Sequence, residues 1–286
     1  MIRQAYSALI GIALVGMLLG LLLSFSIAHL ASNPRFFVEI LSFLGIIALG
    51  LMYRYICIPF LLATLSVLSV LRILGLHKCF VPMIPILISL LCLVILFIYI
   101  AYHDVKRRPI ILKGRVQDLF EMSAYEWHLS FIRIYVGFDL IAHCTEKLFA
   151  GRIPFRADVM AFAQLDVMDP TFFVRLSGLC ELAGVISLGL GLLTRVGALG
   201  TALYLMIATL IGQHFVKGFI WALPGGGWEY PVMWSVFILS YIVLGADEFS
   251  IDGVLDKKFN LPVWLKRLMG VMKSDKKIIA NRMQTF

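Results

Sequence analysis

The chain has 286 residues, of which 61% are hydrophobic and 15% charged, and its mean hydropathy is +0.94. Soluble globular domains have roughly 45–50% apolar and about 25% charged residues, so this composition excludes that class and indicates a polytopic membrane protein. The formal net charge of +8 would also suit a nucleic-acid-binding protein, but the basic residues are distributed as they are in membrane proteins.

Long apolar segments recur along the chain, each close to the roughly 20 residues that a helix needs to cross a bilayer. Backbone groups in lipid must bond within their own segment, so these segments are predicted to be helices. The first exceeds the roughly 7–15 apolar residues of a signal peptide, and we expect it to be retained. The predicted fold is an all-α, polytopic transmembrane helix bundle of about eight spans. The spans are predicted at residues 5–30, 36–53, 56–74, 80–102, 128–149, 172–193, 195–216 and 230–246.

Most Lys and Arg residues fall on one side of this topology. With the N-terminus inside, the inner segments include the basic stretch 106–115 and the end of the chain after residue 246. Since basic residues favour the cytoplasmic side, both termini are predicted to be cytoplasmic. The positive charge is then a topology signal, and we predict a lipid bilayer, not nucleic acid, as the partner of the basic residues.

The character of the chain changes near residue 103, which predicts four regions. Residues 1–102 form an N-terminal region of four almost purely apolar spans. Residues 103–127 form a basic cytoplasmic linker, and the helical spacing of its apolar residues predicts a helix lying in the membrane interface. Residues 128–256 contain four spans with nearly all of the charge within the membrane. Residues 257–286 form a basic, amphipathic cytoplasmic tail.

The fifth span carries four ionisable groups near its outer end, in the stretch GFDLIAHCTEKLF. Asp139, His143 and Glu146 are spaced i, i+4 and i+7, which places them on one helical stripe, and Lys147 is one position round from it. Ionisable groups at membrane depth are costly and usually mark a functional site or a hydrated cavity. Of the four, Asp139 is too far from the end of the span for its side chain to reach the interface.

The sixth span carries Glu181 at a depth similar to that of Asp139, and the next loops add polar groups at the same side. We predict that these residues meet in one polar cavity open to the outer face. The candidate catalytic residues are Glu181, His143, Glu146 and Asp139. The candidate substrate-binding residues are Lys147, His214, Gln213, Glu229 and Trp228.

Carboxylates and imidazoles in such a cavity suit proton-coupled redox chemistry or the binding of a polar head group, because both can hold and pass protons. The alternative is an internal ion-pair network that only fixes helix packing, in which Asp139 pairs with Arg133 or Arg175. Cys144 and Cys180 lie in the outer halves of their spans and are a candidate redox pair. None of the five cysteines has metal-ligand spacing, so no metal site is predicted.

Four motifs in the second half, taken in order, resemble the DoxX family of four-span bacterial membrane proteins over about residues 128–256. They are RIYVGFDLIAHCTEKLF, LCELAGVISLGLGLLTRVGAL, GGGWEY and LGADEFSIDGVL. The chain departs from the family pattern at Ala142, where Gly is common, and at Gly245 to Asp247, where Gly-Pro-Gly is common. Spans one to four lie outside the resemblance.

The resemblance implies a role near membrane redox complexes, since the DoxX/DoxD group includes a subunit of a thiosulfate:quinone oxidoreductase. It places Glu181, His143 and Lys147 at the polar centre and makes Arg195 and Asp252 structural residues of the cytoplasmic side. The leading interpretation is a redox-associated subunit of the bacterial inner membrane whose cavity admits a quinone or a small sulfur compound. Quinone is the candidate cofactor, and a membrane or periplasmic redox subunit is the candidate partner. A carrier or binding protein for a small molecule or lipid head group, and a non-catalytic assembly subunit, are the alternatives.

Overall fold

The computed structural model of the chain describes residues 2–25, 33–112, 115–117 and 119–271. Within these ranges every regular element is helical except one short hairpin, which confirms the predicted all-α membrane fold. The predicted tail beyond residue 271 lies outside the described residues.

The N-terminal helices form a closed ring of four. In this ring α1 packs against α4 and α2, and α3 packs against α2 and α4. Helix α3 is the most buried of the apolar helices, because 72% of the residues in its apolar stretch lie inside the protein. The four helices are α1 Ile2–Phe25, α2 Asn33–Leu51, α3 Cys57–Leu76 and α4 Phe80–Val105.

The linker between the two halves forms a β-hairpin, and the interfacial helix predicted within residues 103–127 is wrong. Strand β1, Ile110–Leu112, pairs antiparallel with β2, Arg115–Gln117, and helix α5 does not begin until Ala124. The β-branched residues Ile110, Ile111 and Val116 favour the extended backbone, and this preference outweighs the helical spacing of the apolar positions.

The second half contains a second closed ring, because α7 packs on α5, α8 on α7, α10 on α8, and α10 returns to contact α5. This is the predicted DoxX-like four-helix bundle. The elements are α5 Ala124–Leu148, α6 Arg152–Ala163, α7 Pro170–Gly184, a π-helical turn Val185–Gly189, α8 Thr194–Ile211, α9 His214–Lys217, α10 Glu229–Leu244, α11 Ile251–Lys258 and α12 Val263–Met269.

Six helical stretches in the described part of the chain are long and apolar enough to cross a membrane. They are Tyr6–Phe25, Pro34–Leu51, Cys57–Leu76, Phe80–Val105, Pro170–Gly189 and Thr194–Ile211. The other two predicted spans, α5 and α10, do not combine this length with this apolar composition. Helix α5 has 25 residues but includes five charged side chains, and α10 has only 16 residues.

Helices α3 and α5 join the two rings, and aromatic side chains fill the junction at the hairpin end. Phe249 lies at the centre, with its ring centroid 5.6 Å from Phe60, 5.6 Å from Phe97 and 5.2 Å from Trp127. The buried Asp104 accepts a hydrogen bond of 2.8 Å from Trp127 Nε1. The two halves of the chain therefore share one core.

A buried arginine holds the hairpin end of the second ring together. Arg133 is fully buried, and its Nε donates to Asp247 Oδ2 at 2.8 Å while other guanidinium nitrogens donate to the carbonyls of Leu188 and Phe249. Gly137, one turn along α5, lies so close to the π-helical turn that a Cβ there would overlap the backbone of Gly189. These contacts fix α5 against α7 and so position the polar residues at the other end of α5.

Candidate functional site

The polar residues of α5 lie at the end of the bundle that α6 covers, here called the α6 end. Helix α5 begins with a capping box, in which the Ser123 hydroxyl accepts from Glu126 N at 3.2 Å and the Glu126 carboxylate accepts from Ser123 N at 2.6 Å. The helix then runs unbroken to Leu148. It presents its polar side chains to two different neighbours, because α3 packs on one side of it and α7 on the other.

The centre of the site is a buried network of three side chains from three helices. Lys147 Nζ of α5 donates to both carboxylate oxygens of Glu181 on α7, at 2.9 and 3.0 Å. Tyr204 of α8 donates its hydroxyl to Glu181 Oε1 at 2.6 Å. The Lys147 and Glu181 side chains are only 8% and 6% exposed. A carboxylate with an ammonium and a phenol as donors has partners on both of its oxygens.

A second ion pair lies on the other side of α5 and connects the N-terminal ring to the site. Arg72 of α3 binds the Glu146 carboxylate and donates from Nε to the carbonyl of Ala142 at 3.1 Å. His143 Nδ1 is 3.7 Å from Glu146 Oε1, and the His143 side chain is 55% exposed. The first half of the chain therefore supplies the cation that neutralises Glu146.

Helix α6 adds an acidic side chain above these two pairs. Asp158 is half-buried, and its Oδ2 atom is buried with no hydrogen-bond partner among the described residues. Burial, followed by repulsion from Glu146, raises the pKa of Asp158 to about 6. Lys147 and His143 act in the opposite direction, and Glu181 adds to the repulsion. Asp158 therefore titrates close to neutral pH and couples α6 to the charges beneath it.

Asp139 lies apart from the network around Glu181. It lines a cavity of about 400 Å³ between α3, α4 and α5, together with Arg72. It does not pair with either arginine that the sequence offered, because Arg133 binds Asp247 and the Arg175 guanidinium lies over the Phe155 ring at 5.6 Å. Within the described ranges, Asp139 accepts no hydrogen bond.

The loop residues predicted to bind substrate have contacts within their own loop. His214 Nδ1 lies 2.8 Å from the carbonyl of Gly226, and the Glu229 carboxylate accepts from Trp221 N at 3.1 Å. Trp228 packs edge-on against Phe219, with 4.7 Å between ring centroids. Gln213 adopts a left-handed backbone conformation with φ of 56°. The described contacts of these residues shape the loop and include none with Glu181 or Lys147.

Both candidate redox cysteines are free thiols. Cys144 is buried and its Sγ donates weakly to the carbonyl of Ile141 at 3.6 Å, and Cys180 is partly exposed. No group of three or more His, Cys, Asp or Glu side chains with a metal-binding arrangement occurs in the described part of the chain.

Three members of the site were not singled out in the sequence: Arg72, Asp158 and Tyr204. Tyr204 lies in an apolar stretch of α8 where an aromatic residue is ordinary packing. Asp158 lies between the fifth and sixth predicted spans, where an acidic residue is ordinary. Arg72 is charged within an apolar span, which was a usable signal.

The resemblance implied that Arg195 and Asp252 are structural residues of the cytoplasmic side. Both lie at the hairpin end of the bundle. Asp252 is fully buried and accepts from the backbone of Leu193 and Thr194, both at 2.9 Å, at the start of α8. Arg195 donates to the carbonyls of Val243 and Arg267. Both residues hold helix ends.

The model of the DoxX family matches residues 128–214, which include all of α5 to α8 except the first turn of α5. Lys147, Asp158, Glu181 and Tyr204 lie inside the matched segment, and Arg72 lies outside it. Searches of curated proteins and of solved structures found no match to the chain. The match confirms the family that the sequence motifs indicated, and the chain is a multi-pass helical membrane protein with a DoxX region at residues 128–214.

Proposed function

We propose that this protein is a redox-associated subunit of the bacterial inner membrane, in which a polar cluster holds and passes protons for a quinone or a small sulfur compound. The buried network of Lys147, Glu181 and Tyr204 carries the proposal. A fully paired acid at membrane depth is costly to maintain and is typical of proton-handling sites. Both termini are taken to be cytoplasmic, which puts α6 on the periplasmic side.

The chemistry of quinone reduction defines what the cluster would do. A quinone becomes a quinol by taking up two electrons and two protons, and two thiosulfate ions release two electrons when they couple to form tetrathionate. We assign the electron transfer to a partner subunit and the proton supply to this chain. Tyr204 and Lys147 both donate to Glu181, and Asp158, with its pKa of about 6, lies on α6, which covers this end of the bundle.

Replacement of Glu181 by Gln tests the proposal. The change keeps the shape of the side chain and removes the proton-accepting carboxylate, so thiosulfate-dependent quinone reduction by native membranes should fall at least ten-fold while the protein level holds. Glu39→Gln is the matched control, since the partly exposed Glu39 pairs with Arg35 on α2, away from the Glu181 network.

Tyr204→Phe separates chemistry from stability. The variant keeps the ring and removes the hydroxyl that donates to Glu181. A reduced rate at normal protein level supports the proposal. If Glu181→Gln fails to accumulate and Tyr204→Phe has the wild-type rate, the cluster serves helix packing and the protein is an assembly subunit.

A second candidate function is the binding or carriage of a small molecule or lipid head group. The cavity that contains Arg72 and Asp139 favours it, because this cavity is separate from the Glu181 network. Uptake of a solute into sealed vesicles driven by a pH gradient would support a carrier, and quinone found in the purified protein would support the redox subunit.

A further inference from the structure

A crevice runs along the outside of the junction between the two helix rings. Helix α3 packs along α5, but α4 and α5 make few direct contacts, so a gap of about 400 Å³ remains between them. This volume is within the range of small-molecule sites, roughly 300–1,000 Å³. Its walls are mainly aromatic and aliphatic and include Phe60, Leu68, Leu93, Phe97, Phe131 and Phe138.

The crevice opens sideways, toward the hydrocarbon of the bilayer. The residues at its lips are exposed on the helix surfaces, with Ile98 of α4 61% exposed and Tyr135 of α5 55% exposed. Along α3 the lining extends from Phe60 to Arg72. The twelve helical steps between them rise about 18 Å, a little more than half of the roughly 30 Å hydrocarbon thickness. The crevice thus has the length of one lipid chain in one leaflet.

The α6 end of the crevice is polar and carries unused hydrogen-bonding capacity. Arg72 uses Nε for the carbonyl of Ala142 and Nη2 for Glu146, and its Nη1 donates to no acceptor among the residues described. Asp139, one turn before Ala142, accepts no hydrogen bond in the same part of the chain. A ligand head group there meets one donor and one acceptor.

The charges at this end select against an anionic head group. Asp139 and Glu146 contribute two carboxylates, and Arg72 is the cation that directly pairs with one of them. A phosphate would be repelled by this arrangement, whereas a hydroxyl or carbonyl group would satisfy both Asp139 and Arg72 without adding charge.

We infer that the crevice between α3, α4 and α5 binds one apolar chain of a neutral membrane amphiphile whose hydroxyl or carbonyl head group contacts Asp139 and Arg72. A prenyl quinone and a diacylglycerol share this chemistry. The inference does not depend on the redox role of the Glu181 network. It gives the N-terminal ring a function, since α3 and α4, outside the DoxX match, form two of the three walls.

Photolabelling in reconstituted vesicles tests the inference. Three probes carry a diazirine on the chain: a prenyl quinone, a diacylglycerol and phosphatidylglycerol, an anionic lipid. The variant Val94→Trp fills the crevice, because Val94 lines it and is 43% exposed. The matched control is Val15→Trp, at an outward position of α1 that is 52% exposed and is not part of the lining.

At least one neutral probe should label peptides of α4 and α5, and Val94→Trp should lower that labelling at least five-fold while Val15→Trp leaves it unchanged. Which neutral probe labels identifies the source of the head group. Asp139→Asn should reduce labelling by the same probe, and Glu39→Gln, on α2 and outside the lining, should not change it. Equal labelling by phosphatidylglycerol, or labelling that Val94→Trp does not reduce, would overturn the inference.

Discussion

Tyr204 donates its hydroxyl to the same Glu181 oxygen that lies 2.9 Å from Lys147 Nζ, so one carboxylate joins α5, α7 and α8. Each of these side chains comes from a different helix, and the Lys147 and Glu181 side chains are almost completely buried. The stability of the DoxX bundle and the chemistry of the site therefore depend on the same three groups.

Lys147→Met should destabilise the protein by about 3–5 kcal/mol, because it leaves the buried Glu181 without its cation. The double variant Lys147→Met with Glu181→Leu should recover most of that loss, since an apolar pair of similar size needs no compensation. Thermal unfolding in detergent, followed by the loss of monodisperse protein, measures both. A double variant no more stable than Lys147→Met would contradict a direct pairing.

Asp158 should make the packing of α6 depend on pH. Its pKa is raised to about 6 from 3.8 when α6 is packed on the bundle. The packed helix therefore binds a proton more tightly than a helix detached from the bundle does. Packing of α6 is then strongest below about pH 4 and weakens as the pH rises to about 6. After division by the intrinsic exchange rate, which itself rises with pH, the α6 amides should be less protected against hydrogen exchange at pH 7.5 than at pH 5.

Asp158→Asn should slow this exchange at pH 7.5 and remove most of its dependence on pH. The matched control is Asp166→Asn, at an exposed position just after α6. If the control variant changes the exchange as much as Asp158→Asn does, the effect belongs to surface charge in general.

Arg133→Met should reduce the free energy of unfolding by about 3–5 kcal/mol, since it leaves Asp247 without its partner in the interior. The guanidinium also binds the carbonyls of Leu188 and Phe249, which methionine cannot replace. Protein yield and thermal stability check the prediction. Arg175→Met is the control, and it should remain close to wild type because Arg175 is exposed.

Asp252→Ala should cost about 1–2 kcal/mol, because it removes the side chain that accepts from the first backbone N–H groups of α8. Both carboxylate oxygens accept such bonds, at 2.9 Å from Leu193 N and Thr194 N. The loss should appear as a lower midpoint of thermal unfolding with normal ligand binding. An unchanged midpoint would contradict a capping role for Asp252.

The contact between Lys147 and Glu181 illustrates what the sequence could predict. The sequence placed both residues in one polar cavity, but the depth argument paired Glu181 with Asp139, and the structure pairs it with Lys147, eight residues further along α5. The i, i+4, i+7 stripe of Asp139, His143 and Glu146 also follows directly from the helix period. What periodicity cannot supply is the identity of the neighbouring helix. In the structure, Glu146 and Asp139 face α3 and α4, whereas Lys147 faces α7.

Arg72 shows why the rest could not be predicted. It meets Glu146 across 74 residues of sequence, and the packing of α3 on α5 is a contact between two apolar surfaces with no pattern that marks them as partners. The hairpin at residues 110–117 was missed for a local reason. Its β-branched residues favoured extended backbone, and the helical spacing of the apolar positions was coincidental.

The two rings of helices touch mainly along α3 and α5, and the crevice borders this contact on the α4 side. Arg72 lies in the crevice wall and also binds Glu146, so a head group that accepts a hydrogen bond from Arg72 contacts the guanidinium that pairs with Glu146. Occupancy on the lipid side would in this way be transmitted to Arg72 and, through Glu146, to the charges beneath α6.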